Sequence, residues 1–141
     1  MRPLVLDTNI VLDLFVFADA AAAPLRQALH AGRHRWIVTA AMREELQRVL
    51  AYPHLAARLQ FHEREPDAVL AAFDACVEHV ASPSKVPPTC RDADDQKFID
   101  LAVTHRALLL SKDRAVLSMR RRLQRLGVDV TTTWIPDPLP A

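Results

Sequence analysis

Four short, mainly apolar segments recur along the chain, and stretches with helical periodicity separate them. The segments lie at residues 4–6, 35–38, 107–111 and 128–130. A continuous apolar run this short is typical of a strand that is buried on both faces, as in a parallel sheet. Because strands that alternate with helices form parallel sheets, the chain is predicted to be an α/β protein with helices on both faces of the sheet.

The predicted helices lie between these strands, and Gly32 and Gly127 end two of them because glycine is favoured just after the last helical residue. They are expected at residues 9–17, 21–31, 40–51, 54–61 and 66–79, from Asp92 or Asp94 to 105, and at 114–126. Residues 82–88 contain three prolines and form the one predicted linker. A chain of 141 residues fits one domain, so we expect a single domain over residues 1–135 and a proline-rich tail over 136–141.

Charge and cysteine content exclude several classes of protein. The 18 Lys+Arg and 17 Asp+Glu residues leave a net charge of +1, which argues against a protein that binds nucleic acid through bulk positive charge. Two cysteines, Cys76 and Cys90, are too few for a disulfide framework or a cysteine-based zinc site. The sequence shows no signal-peptide pattern and no apolar run near the ~20 residues of a membrane helix. We therefore expect a cytoplasmic protein with no membrane partner.

Two carboxylates follow predicted strands closely. Asp7 comes directly after the first strand, and Asp113 lies just beyond the third. In an open parallel sheet, ligands bind in the crevice beyond the carboxyl ends of the strands, so the two acids are expected to meet there. Taken alone, Asp7 could instead be the N-cap of the first helix.

A third carboxylate, Glu45, lies beside the apolar stripe of the helix predicted over residues 40–51. Glu44 falls on the opposite, solvated side of the same helix. A carboxylate that points inward is costly unless it is paired or coordinates a metal. Glu45 is therefore part of a metal site, or it extends its carboxylate to the solvent, or it pairs with Arg43 or Arg48.

A fourth carboxylate, Asp95, projects among the apolar residues of the helix that runs to residue 105, whereas Asp100 projects away from them. Asp92 and Asp94 are more ambiguous, because an aspartate near a helix start usually caps free N–H groups. Both readings, a helix cap and a share in a metal site, stay open for these two residues.

Several acids at one end of a sheet repel one another unless a cation neutralises them. A set of carboxylate oxygens without cysteine or paired histidine selects a hard ion, Mg²⁺ or Mn²⁺. Such an ion polarises a phosphodiester, deprotonates a bound water and stabilises the leaving oxyanion. Metal-assisted phosphodiester hydrolysis is therefore the reaction class that these acids favour.

Four motifs in the chain resemble, in order and spacing, those of PIN-domain ribonucleases. Residues 4–12 resemble the opening strand and turn, 45–50 the second acidic motif, 92–102 the third and 110–113 the fourth. The match covers residues 3–131, nearly the whole chain. Among these ribonucleases, the chain is similar to the VapC toxins of bacterial toxin–antitoxin pairs.

The resemblance implies a three-layer α/β/α sandwich with a central, mainly parallel five-stranded sheet, often in a homodimer. It also implies a site for Mg²⁺ or Mn²⁺ that is both metal-binding and catalytic. The implied ligands are Asp7, Glu45, Asp95 and Asp113. Asn9 and Ser111 match polar positions that support the site, and Asp92 and Asp94 are further candidates for it. The implied activity is endonucleolytic cleavage of RNA, restrained by an antitoxin protein that occupies the active-site groove.

Two basic clusters are candidates for contacts with RNA phosphates. One consists of Arg120, Arg121 and Arg122, and the other contains Arg33 and Arg35. Each cluster could equally be a solvated surface.

Two other functions compete with that of a nuclease. Phosphoryl transfer through an aspartyl-phosphate at Asp7 is disfavoured, because Asn9 stands where haloacid-dehalogenase-like phosphatases have a second acid. The alternative is a catalytically inactive PIN-like module that binds RNA or another partner. The four acids count against it, since a module that only binds RNA has no use for a repulsive acidic pocket.

Overall fold

Five short strands form the centre of the fold in residues 2–134, the part of the chain that the computed structural model describes. They are β1 (Leu4–Leu6), β2 (Trp36–Val38), β3 (Val77–His79), β4 (Leu108–Leu110) and β5 (Asp129–Thr131). All neighbouring strands are parallel, and their order across the sheet is β3-β2-β1-β4-β5. Parallel neighbours need crossover connections, which here are helical.

Helices flank the sheet in a three-layer α/β/α sandwich, as the sequence predicted. They are α1 (Thr8–Phe15), α2 (Ala23–His30), α3 (Ala40–Leu50), α4 (Pro53–Phe61), α5 (Pro66–Cys76), α6 (Gln96–His105), α7 (Arg114–Leu117) and α8 (Arg120–Gln124). Two 3-10 helices, Ala20–Ala22 and Ala93–Asp95, precede α2 and α6. The buried apolar side chains form one core cluster, which extends from Leu4 to Val130. The predicted tail, residues 136–141, lies outside the described residues.

The central strands β1 and β4 determine where the loops of interest emerge. Leu4 lies opposite Leu108, and Leu6 lies opposite Leu110. All three residues of β1 are buried, as expected for a strand covered on both faces. The register continues past the strands, since the backbone N–H of Asp7 donates to the Leu110 carbonyl at 2.9 Å. Residues that follow the two strands therefore emerge side by side.

The prediction of one helix over residues 66–79 was wrong at its C-terminal end. Helix α5 ends at Cys76, and the chain continues directly as the edge strand β3, which pairs with β2. Glu78 and His79 are exposed, so β3 lacks the apolar run that marks the other strands. The Glu78 carboxylate accepts two hydrogen bonds from the Arg35 guanidinium, at 2.9 and 3.2 Å.

The single helix predicted over residues 114–126 is divided into α7 and α8. At the break, the Ser118 hydroxyl donates to the Ala115 carbonyl at 2.7 Å, and the Met119 N–H donates to the Val116 carbonyl at 3.0 Å. Serine competes for backbone groups in this way and favours a helix end. Helical periodicity on both sides of Ser118 concealed the break.

The proline-rich linker at residues 82–88 is held against α6 by two polar side chains. Asp100 Oδ1 accepts hydrogen bonds from the Val86 backbone N–H at 3.1 Å and from the Gln96 side-chain amide at 2.8 Å. Gln96 Oε1 accepts a hydrogen bond from the Cys90 N–H at 2.7 Å. These contacts place the segment that follows the linker at the carboxyl end of the sheet.

Within residues 2–134, no single helix has the length and apolar character needed to cross a bilayer. The helical segments Thr8–Phe15 and Ala20–His30 meet the criterion only together, and a bend of 100° separates them.

Candidate metal centre and its cleft

A cleft of about 350 Å³ opens at the carboxyl ends of β1 and β4. Carboxylates from four separate segments line it: Asp7, Glu45, Asp95 and Asp113. The fold therefore brings together the four acids that the sequence singled out. The other lining residues include apolar and aromatic side chains: Leu12, Phe17, Val49, Tyr52, His54 and Leu55.

Asp7 directly follows β1 and is only 4% exposed. It occupies the N-cap position of α1, but in the described structure its carboxylate makes no capping hydrogen bond. Its Oδ2 instead accepts a 2.6 Å hydrogen bond from the hydroxyl of Ser111, which is completely buried beyond β4. Burial raises the pKa of Asp7 above its ordinary value, the Ser111 hydrogen bond opposes this, and the charges of Asp113 and Glu45 raise it further.

Asp113 is positioned by the same serine. Its backbone N–H donates to Ser111 Oγ at 3.1 Å, and its Oδ1 caps α7 by accepting from the Ala115 N–H at 2.8 Å. Ser111 thus connects the carboxylate of Asp7 to the backbone of Asp113. The neighbouring Lys112 pairs with Asp13, with 2.5 Å between Nζ and Oδ2.

Asp92 and Asp95 lie at the two ends of the turn that precedes α6. Asp92 Oδ1 accepts a 3.0 Å hydrogen bond from the Asp94 N–H, so Asp92 is a cap. It is also part of a cluster, because one oxygen each of Asp92, Asp95 and Asp113 lie within 4.8 Å of one another. Asp94 is exposed, and its carboxylate is not in this cluster.

Asp95 is a buried acid that, within residues 2–134, also lacks a hydrogen-bond donor for one of its oxygens. It is 8% exposed, and its Oδ2 has no hydrogen-bond partner among the described residues. Burial, followed by the negative charges of Asp7, Asp113 and Asp92, raises the pKa of Asp95 to about 7. A cation would offset both the repulsion and the missing donor, and carboxylate oxygens are the ligands that Mg²⁺ and Mn²⁺ prefer. The residues present therefore fit a hard divalent ion.

Glu45 differs from the aspartates because both of its oxygens have donors. Oε2 accepts from the Thr8 hydroxyl, and Oε1 accepts from Lys97 Nζ at 2.9 Å. The Glu45 and Lys97 side chains are only 16% and 25% exposed, so this ion pair is largely shielded from water. Arg43, one of the partners considered for Glu45, pairs with Asp74 at 2.8 Å instead.

The remaining predicted site residues are more peripheral. Asn9 lines the cleft and is exposed. Arg120, Arg121 and Arg122 are exposed on α8, and none of them lines the cleft in the part of the chain that is described. Arg120 Nε donates to the Val130 carbonyl at 3.0 Å, which ties α8 to β5. The proposed contacts of these arginines with RNA phosphates stay a prediction.

Sequence reasoning missed two polar residues of the site, Thr8 and Lys97. Thr8 directly follows Asp7, and Lys97 is the one basic residue inside the third acidic motif. A lysine within an otherwise acidic segment is a usable signal, because its charge has to be matched by a carboxylate once it is half-buried.

The model of the PIN domain family matches residues 3–115, a range that includes all four acids. The chain belongs to the PIN domain family. This membership supports a metal-binding nuclease of the hydrolase class. A 70-residue stretch is also 30% identical to an uncharacterised protein of Methanocaldococcus jannaschii. That stretch covers 50% of this chain and 44% of the archaeal protein, so this PIN domain matches less than half of its relative's length.

Proposed function

We propose that this PIN domain is an endoribonuclease that hydrolyses RNA phosphodiester bonds with Mg²⁺ or Mn²⁺ as cofactor. The observation that carries the proposal is the cluster of oxygens from Asp92, Asp95 and Asp113 beside the buried Asp7. A purely structural role does not account for it, since the mutual repulsion and the unpartnered Asp95 oxygen both cost folding free energy. Such a cost is typical of sites that are built for a ligand.

The metal would be held by Asp92, Asp95 and Asp113, with Asp7 and Glu45 as the neighbouring carboxylates of the predicted four-acid site. A divalent ion bound there would polarise the phosphodiester, lower the pKa of a bound water and stabilise the leaving oxyanion. The chain's own contribution is to keep these carboxylates close together. Ser111 performs this task by bonding to both Asp7 and Asp113.

Lys97 places a positive charge beside the carboxylate of Glu45, which lines the cleft. Its Nζ donates both to the Glu45 carboxylate and to the Asp94 carbonyl, so it connects the second acidic motif to the third, of which it is part. A phosphodiester that enters the cleft approaches several carboxylates and is repelled by them. The ammonium group lowers this repulsion and orients Glu45 at the same time.

The test is cleavage of a structured RNA pool by the purified full chain in Mg²⁺, in Mn²⁺ and in EDTA. We expect cleavage only with metal, and loss of at least about 100-fold in the Asp7→Asn and Asp113→Asn variants, since metal-centred charge stabilisation is worth several kcal/mol. Glu44→Gln is the matched control, because Glu44 is an exposed acid adjacent to Glu45.

Two outcomes would contradict the proposal. Cleavage that survives in EDTA would show that the activity does not depend on this site. Equal RNA binding with and without metal, together with no cleavage, would favour the inactive RNA-binding or interaction module instead.

We also propose that the protein is the toxin of a toxin–antitoxin pair and acts on RNA in the cytoplasm, as a homodimer restrained by an antitoxin protein. The support is the similarity of the four motifs to those of VapC toxins. Induced expression of the wild-type chain should arrest bacterial growth, whereas expression of Asp113→Asn should not. Equal growth of the two strains would reject the toxin role while leaving the nuclease proposal intact.

A further inference from the structure

The side chains alternate between two cavities where the chain leaves β4. Leu110 and Lys112 line a second cavity, of about 200 Å³, which shares none of its described lining residues with the cleft. Ser111 and Asp113 belong to the cleft instead, since the Ser111 hydroxyl bonds to Asp7 and Asp113 lines the cleft. Alternation with a period of two is expected of an extended chain. Lys112 therefore extends into the second cavity, although both of its neighbours belong to the candidate metal centre.

Asp13 on α1 meets the lysine in this second cavity, which it also lines. The two side chains form an ion pair, with 2.5 Å between Lys112 Nζ and Asp13 Oδ2. The Asp13 side chain is only 13% exposed, whereas that of Lys112 is 46% exposed. A carboxylate buried to this extent is costly without a partner. The partner of Asp13 is therefore costly to remove, and the pair is a firm contact of the folded chain.

The ion pair joins the two segments that supply Asp7 and Asp113. Helix α1 directly follows Asp7. The Ser111 hydroxyl already donates to the Asp7 carboxylate and accepts from the Asp113 N–H. The Lys112–Asp13 pair adds a second connection between the same two segments, one residue further along. Two adjacent connections fix the orientation of the segments as well as their distance, whereas a single one lets them rotate about it.

A metal centre depends on such a constraint, because a divalent ion such as Mg²⁺ demands a nearly ideal arrangement of its ligands. The carboxylate of Asp113 belongs to the cluster whose oxygens lie within 4.8 Å of one another, together with Asp92 and Asp95. The hydrogen bonds described above for Asp113 come from Ser111 and Ala115, which are its close neighbours in the chain. A contact from the adjacent residue to α1 holds this part of the chain against a separate element.

We infer that the Lys112–Asp13 ion pair positions Asp113 in the metal centre. Lys112 and Asp13 are then positioning residues, which act on the ion through Asp113. The inference rests on the proposed function and adds to it two residues that set the affinity for the metal. It also predicts a sign. If only charge mattered, removing the positive charge of Lys112 beside an acidic site would tighten cation binding, whereas loss of positioning weakens it.

The experiment is a calorimetric titration of the purified full chain with Mn²⁺. Lys112→Met and Asp13→Asn should each weaken Mn²⁺ binding by roughly 10-fold, the lower end of the range for loss of a group that orients a metal ligand. The double variant should lose no more affinity than either single variant, because the two residues act as one unit. Lys112→Arg should bind Mn²⁺ like the wild type, since arginine retains the positive charge that pairs with Asp13.

Asp129→Asn is the matched control. Asp129 pairs with Arg2 at 2.7 Å, but it lies opposite Leu108, at the other end of β4 from the acids. This variant should keep the Mn²⁺ affinity of the wild type. Melting temperatures in EDTA verify that each variant is folded during the titration, and a pair that only stabilises the fold would lower Tm without changing the affinity. The inference is overturned if Lys112→Met binds Mn²⁺ at least as tightly as the wild type, or if Asp129→Asn weakens binding equally.

Cleavage of RNA by the same proteins separates this inference from the function beneath it. Metal-dependent cleavage, together with a Lys112→Met variant that binds Mn²⁺ like the wild type, would retain the nuclease and reject the positioning role. Mn²⁺ binding that depends on the ion pair, without any cleavage, would reject the nuclease and retain the positioned metal centre. A wild-type chain that binds no Mn²⁺ would reject both.

Discussion

Replacing Asp95 with asparagine should stabilise the metal-free protein, which is the reverse of what most substitutions of buried residues do. Asp95 is 8% exposed, and its pKa is raised to about 7 by burial and by the charges of Asp7, Asp113 and Asp92. Above pH 7 the native protein without metal therefore has to keep this carboxylate ionised among other negative charges. Asparagine has nearly the same shape and carries no charge.

The pKa of Asp95 determines both the size and the sign of the effect. The pKa of Asp95 is raised from 3.8 to about 7, and each pH unit corresponds to about 1.4 kcal/mol. The free energy of unfolding that the ionised Asp95 costs the native protein is therefore at most about 4 kcal/mol. Since Asp113 shares the same repulsion, we expect roughly 2–3 kcal/mol for the single substitution at pH 8, or a rise of about 10 °C in Tm. Because the folded pKa is the higher one, the native state binds more protons than the unfolded state between pH 4 and 7. The free energy of unfolding of the wild type should therefore fall across this window.

The assay is thermal unfolding in EDTA from pH 5 to pH 8.5, followed by titration with Mg²⁺ or Mn²⁺ at pH 8. The wild type should lose stability as the pH rises and regain it with metal, because a ligand that binds only the native state stabilises it. Asp95→Asn should lose much less stability as the pH rises, because the raised pKa of Asp7 remains, and it should not regain stability with metal. Asp94→Asn is the control, since Asp94 is exposed and its carboxylate is outside the cluster. Equal melting temperatures for the wild type and Asp95→Asn in EDTA at pH 8 would refute the reasoning.

Three further predictions concern the residues around the acids. Ser111→Ala removes the hydroxyl that donates to the buried Asp7. Urea denaturation at pH 8 should therefore show a free energy of unfolding that is lower by roughly 1–3 kcal/mol. The loss should be smaller in acid, where Asp7 is protonated. Lys97→Met removes the cation that is bonded to Glu45, so calorimetry should show tighter Mn²⁺ binding while RNA cleavage slows. An unchanged Mn²⁺ affinity would contradict the electrostatic role of Lys97. If Arg121 and Arg122 contact phosphates, replacing both with alanine should weaken the salt dependence of RNA binding. The slope of the logarithm of the RNA association constant against the logarithm of salt concentration should fall in magnitude by about 1 per lost contact. An unchanged slope would mean that this face of α8 is only solvated.

Much of the fold could be predicted because it depends on local features of the chain. The burial of β1 and β4 on both faces requires short runs of apolar residues, and such runs are visible without any structure. Helical periodicity predicted inward positions for Glu45 and Asp95, and the structure confirms that Glu44 is exposed whereas Asp95 is buried. Asp95, however, lies in the 3-10 turn before α6 and not in the predicted helix itself. The exposed edge strand β3 has no such pattern, and its prediction as helix was wrong for this reason.

The sequence by itself indicated that Asp7, Glu45, Asp95 and Asp113 would meet, because each follows a strand or lies beside an apolar stripe, and it left Asp92 open. The tertiary structure decided what each acid does there. The donors of Glu45 come from Thr8 and Lys97, which are 37 and 52 residues away along the chain. Asp92 lies near Asp113 only because of the position of the turn before α6. Periodicity describes which side of an element is buried. The partners of a buried carboxylate depend instead on the register of β1 against β4 and on the packing of α3 and α6 around them, which no local pattern contains.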